Sequence, residues 1–130
     1  MPKGAQPPRP TDAELEILAV LWSTGPATVR QVHERINQRR PAQYSTILKF
    51  MQIMSDKGLL LRDEEQRAHI YSAARPCEWT QQQLAGHLLE RAFSGSAKAL
   101  LIGALSAKKT TKAELAELRK LLDEYAKEAK

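Results

Sequence analysis

A short helical segment with polar side chains on one side is the part of this sequence best suited to recognise another molecule. The segment QYSTILKFMQIMSDKG, residues 43–58, places apolar residues at helical spacing and polar residues between them. A lysine reaches guanine or phosphate oxygens, a glutamine pairs with adenine, and hydroxyl groups contact phosphate or a thymine methyl group. The residues predicted to contact bases in this way are Ser45, Thr46, Lys49 and Gln52.

Two short apolar stretches after this helix predict a β-hairpin. Leu59–Arg62 and Ala68–Ser72 are suited to pair as strands, with a charged tip at 63–67 between them. A helix that ends at Lys57 and leads into a hairpin is typical of a winged helix, whose helix enters the DNA major groove. The tip also carries the acidic run Asp63–Glu65, which phosphate would repel.

Basic side chains around the predicted helix-turn-helix are candidates for phosphate contacts, which position a protein on DNA without reading its bases. The net charge of +5 and a pI near 9.5 agree with an anionic partner. The residues predicted to contact phosphate are Arg39, Arg40, Tyr44 and Arg67. Two alternatives stay open: an ordinary solvated helix face, and a basic surface of a protein-interaction subunit that binds an acidic protein.

Four predicted helix starts share a threonine followed three residues later by Glu or Gln, the pattern of a capping box. The pairs are Thr11/Glu14, Thr28/Gln31, Thr80/Gln83 and Thr111/Glu114. With the apolar spacing, they predict helices over about 12–23, 29–38, 81–93 and 112–127, beside the helix that begins near Tyr44. Another helix is expected around residues 100–105, after a break at Ser94-Gly95-Ser96, and Cys77 is expected in a linker.

These elements predict a mainly α fold with a small β-hairpin wing. We expect a disordered Pro-rich tail at 1–10, a winged helix-turn-helix DNA-binding domain at 11–76 and a helical dimerisation domain at 77–130. Residues 80–130 are too few for a core of their own. Leucines at 3-4-3 spacing in the last helix are typical of a short seam between two subunits, the alternative being a helix packed on its own domain. The predicted pairing residues are Leu100, Leu101, Leu105, Leu115, Leu118, Leu122 and Tyr125.

Composition and motifs argue against several other classes of protein. The single cysteine excludes an intrachain disulfide, and the three histidines are far apart, so no metal or cofactor is expected. No nucleophile elbow or glycine-rich phosphate loop is present, so neither catalysis nor a small-molecule substrate is expected. No apolar run approaches ~18 residues and no secretion signal is visible, which indicates a cytoplasmic protein.

From residue 11 to about 127, the chain resembles the BlaI/MecI/CopY family, the penicillinase and methicillin-resistance repressors of bacteria. The order and spacing of several segments carry this resemblance. They are TDAELEILAVLW, ATVRQVHERI, YSTILKFMQIMSDKGLLLR, HIYSA, FSGSAKALLIGAL and TTKAELAELRKLLDE.

The resemblance implies a homodimeric repressor that binds a palindromic operator through its N-terminal winged helix. In family members regulated by antibiotics, a membrane sensor-protease responds to a β-lactam, and cleavage of the repressor in its dimerisation half ends repression. Ser45, Thr46 and Lys49 occupy the helix positions that face DNA in the family, and the late leucines occupy its pairing surface.

Three departures from the family pattern limit what the resemblance implies. An Arg-Leu pair late in the DNA-reading helix of the family is replaced by Ile53 and Met54, which removes a basic contact or ion pair and leaves the operator sequence open. The region expected to be cleaved, Ser94–Ala99, lacks the Asn-Phe bond of the staphylococcal type. The sequence ends in EYAKEAK, without the cysteine cluster of the copper-responsive branch, so no copper sensing by that route is expected.

Overall fold

The described residues, 9–129, contain six helices and one two-stranded antiparallel hairpin, which confirms the predicted mainly α class. The computed structural model describes residues 9–129, so all but the last two residues of the predicted tail lie outside it. The described residues belong to two compact units, divided within α4 between Leu84 and Ala85. In chain order, the elements are α1 (Asp12–Thr24), α2 (Val29–Asn37), α3 (Tyr44–Asp56), β1 (Leu60–Asp63), β2 (Ile70–Ala73), α4 (Cys77–Ala92), α5 (Ala97–Ala107) and α6 (Lys112–Glu128).

Threonine side chains begin three of the helices where the sequence predicted them. At α1, the Thr11 N–H donates to Glu14 Oε1 (2.9 Å) and the Glu14 N–H donates to Thr11 Oγ1 (3.2 Å). Thr28 and Gln31 form the same reciprocal pair at α2. At α6, the Thr111 hydroxyl accepts from the backbone of residue 114 at 3.1 Å. Each cap satisfies backbone donors that the first turn leaves without a helical partner.

The fourth predicted helix start, Thr80/Gln83, is wrong. Helix α4 already begins at Cys77, and Thr80 lies inside it with a buried side chain. Pro76 precedes the helix and its carbonyl accepts from the Thr80 N–H at 3.3 Å, a position that suits proline because its nitrogen has no hydrogen to leave unpaired. The predicted linker around Cys77 is therefore the first turn of a helix.

One apolar core holds the first unit together. Helix α1 buries residues on much of its surface, and α2 and α3 each contribute one stripe at helical spacing, as amphipathic helices do. The hairpin closes the core with the side chains of Leu60 and Tyr71. The buried apolar residues are Ile17, Leu18, Val20, Leu21, Ala27, Val29, Val32, Ile36, Ile47, Met51, Met54, Leu59, Leu60 and Tyr71.

The hairpin is fixed to the helices at both of its ends. Gly58 takes φ +84° just after α3, a conformation that favours glycine, and Leu59 then donates to the carbonyl of Met54 at 2.9 Å. Strand β2 also pairs with the loop between α1 and α2, because Ala27 and Tyr71 exchange two backbone hydrogen bonds of 2.9 and 2.8 Å. The hairpin therefore holds a defined position beside α3.

A buried ion pair joins the beginning of α1 to the end of α3. The Glu14 carboxylate is 2% exposed and accepts from Lys57 Nζ at 2.9 and 3.2 Å, in addition to its capping bond with Thr11. Burial alone would raise the pKa of Glu14, but the bond from the Thr11 backbone and the pairing with Lys57 outweigh it and lower this pKa. The carboxylate is thus charged and nearly saturated with donors.

The second unit has a different character. Ser94 (φ 50°) and Gly95 (φ 77°) interrupt the helical backbone between α4 and α5, as the sequence predicted. Among the described residues from 85 to 129, none is buried, and leucines of α5 and α6 are exposed in the single chain.

The Glu14–Lys57 pair predicts a pH-dependent effect of Glu14→Gln on stability. A carboxyl whose pKa is lower in the folded chain stabilises it above the unfolded pKa, and this stabilisation disappears as pH falls through the folded value. We expect Glu14→Gln to lower the free energy of unfolding by about 1–3 kcal/mol at about pH 7. The difference from the wild type should shrink below about pH 4.

Urea unfolding at one protein concentration measures this difference, since dimerisation would make apparent stability depend on concentration. Glu34→Gln is the matched control, because Glu34 forms an exposed pair with Arg30 at 3.6 Å, and it should change stability by less than about 0.5 kcal/mol. An equal loss for Glu14→Gln at both pH values would contradict the role of the ion pair.

Candidate nucleic-acid interface

The four predicted base-contacting residues lie along one exposed face of α3. Ser45, Thr46, Lys49 and Gln52 are all exposed, while Ile47 and the two buried methionines lie on the opposite face. Helix α3 therefore presents hydroxyl, ammonium and amide groups outward along two turns. These are the groups that hydrogen-bond base edges in a DNA major groove.

The N-terminus of α3 differs from those of the neighbouring helices. Its N-cap residue, Gln43, makes no side-chain hydrogen bond to the first turn, whereas threonine caps both α1 and α2. Backbone N–H groups of the first turn of α3 are therefore not satisfied by a cap. Such groups, together with the helix dipole, favour an anion at this end of the helix.

Two side chains of α2 hold the turn that leads into α3. The Ala42 N–H donates to Asn37 Oδ1 at 3.0 Å, and the Ala42 carbonyl lies 2.7 Å from His33 Nε2. A carbonyl only accepts hydrogen bonds, so His33 Nε2 carries the hydrogen. The His33 ring also meets the Tyr44 ring edge-to-face, with centroids 5.7 Å apart and planes at 83°.

The predicted phosphate-contacting residues have different surroundings. Arg39, Arg67 and Tyr44 are exposed. Arg40 instead donates through Nε and a terminal nitrogen to the Glu16 carboxylate of α1, and through its other terminal nitrogen to the Pro41 carbonyl. Hydrogen bonding from Arg40 lowers the pKa of Glu16. Most of the Arg40 donors are therefore already used inside the protein.

An open groove of about 680 Å³ lies between α2, α3 and the hairpin. It connects the α3 face to the hairpin, since Tyr44 and Gln52 line it together with Arg67. Among the described residues, three arginines line the groove and no aspartate or glutamate does. The lining residues are Thr28, Val29, Arg30, Gln31, Tyr44, Leu48, Gln52, Arg62, Arg67, Ala68, His69 and Tyr71.

Two of the acidic side chains at the hairpin tip, Asp63 and Glu64, have partners within the hairpin. The Asp63 carboxylate accepts from the Glu65 N–H at 2.9 Å, and Glu64 pairs with Arg62 at 2.6 Å. None of the three acidic residues lines the groove. The three carboxylates therefore lie outside the groove lining, although Glu64 pairs with Arg62, which belongs to it.

The residues predicted to contact DNA did not include Arg30, Arg62 or His69. All three line the groove. For Arg62, the pairing of the two strands could have been a signal. Arg62 lies directly opposite Tyr71 across the hairpin, so the side chains of these two residues are neighbours. Arg30 had no such signal, because its place in the groove depends on how α2 packs against the hairpin.

The predicted pairing residues lie on α5 and α6. Leu105, Leu115, Leu122 and Tyr125 are exposed, whereas Leu100, Leu101 and Leu118 are half-buried. The structure adds two large exposed apolar side chains that the sequence prediction omitted, Ile102 (55% exposed) and Leu121 (46%). Leu121 was missed because the prediction followed only the positions of a narrow 3-4-3 seam.

Residues 9–129 offer no sign of two other kinds of site. No three His, Cys, Asp or Glu side chains come together there in a way that would hold a metal ion. Within the same residues, no helix combines the length and the apolar character needed to cross a bilayer.

Comparisons with known proteins show what this chain is similar to. A sequence model of the penicillinase repressor family matches residues 10–124. The transcriptional regulators BlaI of two Mycobacterium tuberculosis strains, CDC 1551 / Oshkosh and H37Rv, are each 35% identical over 96 residues, covering 70% of this chain and 67% of theirs. The solution structure of the DNA binding domain of the repressor BlaI has the same fold, with a TM-score of 0.50 at 24% identity, over 55% of this chain and 88% of that one.

The engagement of Arg40 predicts that the two neighbouring arginines differ in DNA binding. The slope of log affinity against log salt falls by about one when a substitution removes one phosphate contact. We expect Arg39→Gln to reduce this slope by about one and Arg40→Gln to reduce it by clearly less. In a Glu16→Gln background, the two substitutions should have equal effects, because Arg40 is then released.

A salt series on a nonspecific duplex, followed by fluorescence anisotropy, measures the slopes of the six proteins: the wild type, Glu16→Gln, and each arginine variant in both backgrounds. Equal slopes for Arg39→Gln and Arg40→Gln with Glu16 in place would show that the Glu16 carboxylate does not withhold Arg40 from DNA.

Proposed function

This chain belongs to the penicillinase repressor family of transcriptional regulators, which are not enzymes, and we propose that it is a homodimeric repressor of a palindromic operator. The observation that carries the proposal is the exposed polar face of α3 and its continuation into a groove lined by three arginines and no carboxylate. A surface of this kind suits one base-reading helix flanked by a phosphate backbone.

In this proposal, the outward face of α3 reads bases in the major groove. Lys49 donates to guanine O6 and N7, and Gln52 pairs with adenine. Ser45 and Thr46, in the first turn, contact phosphate or a thymine methyl group. Ile53 and Met54 stand where the family has an Arg-Leu pair, so the family's additional basic side chain is absent. The preferred operator sequence is then set by Ser45, Thr46, Lys49 and Gln52.

The groove beside α3 accommodates one stretch of DNA backbone. Arg30 of α2 and Arg67 of the hairpin tip provide cationic donors in the groove, and the exposed Arg30–Glu34 pair is weak enough to yield to phosphate. Tyr44 provides a hydroxyl, and the uncapped first turn of α3 provides N–H groups. Arg39 adds a contact outside the groove, and Arg40 retains a smaller share because Glu16 holds it.

Dimerisation is proposed to occur through α5 and α6. A chain with no buried residue among those described from 85 to 129 lacks an apolar core there, and pairing with a second copy would supply the missing burial. Two symmetric subunits require a palindrome, with half-sites about one helical turn apart. We expect the repressor to act in the cytoplasm, where it meets DNA.

Relief of repression is proposed to follow proteolysis by a membrane sensor-protease of the β-lactam or cell-wall stress type. The break between α4 and α5 suits a cut, because Ser94, Gly95 and Ser96 are exposed and form no part of a helix. A cut there would separate the DNA-reading unit from α5 and α6.

Lys49→Ala tests the assignment of α3 as the reading helix. Loss of a bidentate base contact removes about 1–3 kcal/mol of discrimination, and the dimer loses two such contacts, so operator affinity should fall at least about 30-fold while binding to unrelated DNA falls much less. DNase footprinting of the promoter region, followed by affinity measurements on the protected site, provides the readout.

Lys109→Ala is the matched control, because Lys109 is an exposed lysine between α5 and α6 and belongs to neither pairing helix. It should leave operator affinity unchanged. If Lys49→Ala left both operator and unrelated DNA binding as in the wild type, α3 would not be the reading helix. Diffuse binding by the wild type with no protected site would instead favour an acidic protein as the partner.

Leu122→Gln tests the pairing surface. Leu122 is 53% exposed in the single chain, and burial of a leucine in an interface contributes about 1.5–3 kcal/mol. A symmetric dimer loses two copies, so the dimer dissociation constant should rise at least about tenfold. Sedimentation velocity over a concentration series measures it.

Leu61→Gln is the matched control, because Leu61 is 61% exposed but belongs to the hairpin. It should leave the dimer dissociation constant unchanged. The same constant for Leu122→Gln and the wild type would place the pairing surface elsewhere.

A further inference from the structure

We propose that His33 is a positioning residue for operator binding, acting through the turn between α2 and α3 and through Tyr44. This inference rests on the proposed function, because it concerns how the DNA-reading helix and a phosphate-contacting tyrosine are held in place. His33 itself is assigned no contact with DNA.

The first contact of His33 is with Ala42, whose backbone is held from both sides by α2. Asn37 accepts from its N–H at 3.0 Å and His33 donates to its carbonyl at 2.7 Å. Ala42 lies two residues before the start of α3, and the α3 N-cap residue Gln43 contributes no side-chain cap. The direction in which the chain enters α3 therefore depends on these two bonds from α2.

The second contact of His33 is with the tyrosine at the start of α3. Tyr44 is 46% exposed, and its ring meets the His33 ring edge-to-face with the centroids 5.7 Å apart. Rings in this arrangement attract each other through their quadrupoles. Because Tyr44 also lines the arginine groove, His33 orients a ring of the groove wall.

The surroundings of His33 are those of a positioning residue and not those of a core residue. His33 is only half-buried, whereas its neighbours Val32 and Ile36 are fully buried and supply the contacts of α2 with the core. The contacts of His33 are instead directed at Ala42 and Tyr44, both at the entrance to α3. Loss of the His33 side chain should therefore change DNA binding more than it changes unfolding.

Two substitutions separate the two contacts. His33→Gln keeps a side-chain N–H that can donate to the Ala42 carbonyl but removes the ring that meets Tyr44. His33→Phe keeps an aromatic edge for Tyr44 but removes the donor. Gln38→Ala is the control, because Gln38 is an exposed residue in the same turn.

The experiment measures operator affinity, affinity for an unrelated duplex and the thermal unfolding midpoint for the full chain and each variant. We expect His33→Gln and His33→Phe each to lower operator affinity about 3- to 10-fold, the value of one modest contact, with a much smaller effect on the unrelated duplex. In a Tyr44→Ala background, His33→Gln should change operator affinity less than about twofold, because its route to DNA is gone.

A second readout follows Tyr44 directly by aromatic ¹H–¹³C NMR without DNA. The Tyr44 ring signals should shift in His33→Gln and stay near their wild-type positions in Gln38→Ala. Unchanged ring signals in His33→Gln would overturn the inference.

Two affinity results would also overturn it. One is a lower unfolding midpoint for His33→Gln with operator affinity unchanged, which indicates a purely structural role. The other is the same loss of affinity with and without the Tyr44 side chain. If the wild type protects no operator, the proposed function fails, and the NMR readout still decides whether His33 positions Tyr44.

Discussion

The buried carboxylate of Glu14 is the constraint on which the arrangement of the first unit depends. One carboxylate completes the cap of α1 and holds Lys57 at the end of α3, 43 residues away in the chain. A buried charge must be matched by donors or the fold loses several kcal/mol. Because Glu14 Oε1 accepts from both the Thr11 N–H and Lys57 Nζ, one oxygen links the cap of α1 to the end of α3.

Helix α1 influences the helix-turn-helix at a second point, and this determines which cations remain available outside. Glu16 engages Arg40 just after α2, as Glu14 engages Lys57 just after α3. Two of the basic residues that the composition counts toward an anionic partner are therefore used within the unit. Lys49, Arg39 and Arg67 have no ion pair among the described residues, so the charge offered to DNA is concentrated on α3, the turn and the groove.

The sequence was informative where a local rule determines structure. Helical spacing and threonine caps placed α1, α2 and α3 to within one or two residues, and the exposed face of α3 followed from its buried stripe. The Thr80 motif failed because a capping pattern is not specific, and here Pro76 provides a better start to the helix. The motif residue is instead buried three residues further along.

Long-range contacts explain most of what the sequence did not predict. Nothing local indicates that Arg40 meets Glu16 or that Ala27 pairs with Tyr71, because each of these depends on packing between elements.

The two units depend on different sources of stability, and this difference has a consequence for regulation. Residues up to Leu84 contain the buried core and the Glu14 ion pair, while the described residues beyond contain no buried side chain. A proposed cut at 94–96 would leave the core and the reading helix intact and remove the pairing helices. Each half-site would then be bound independently, so the cell would lose the gain in affinity that linked binding provides. Repression would end without unfolding of the DNA-binding unit.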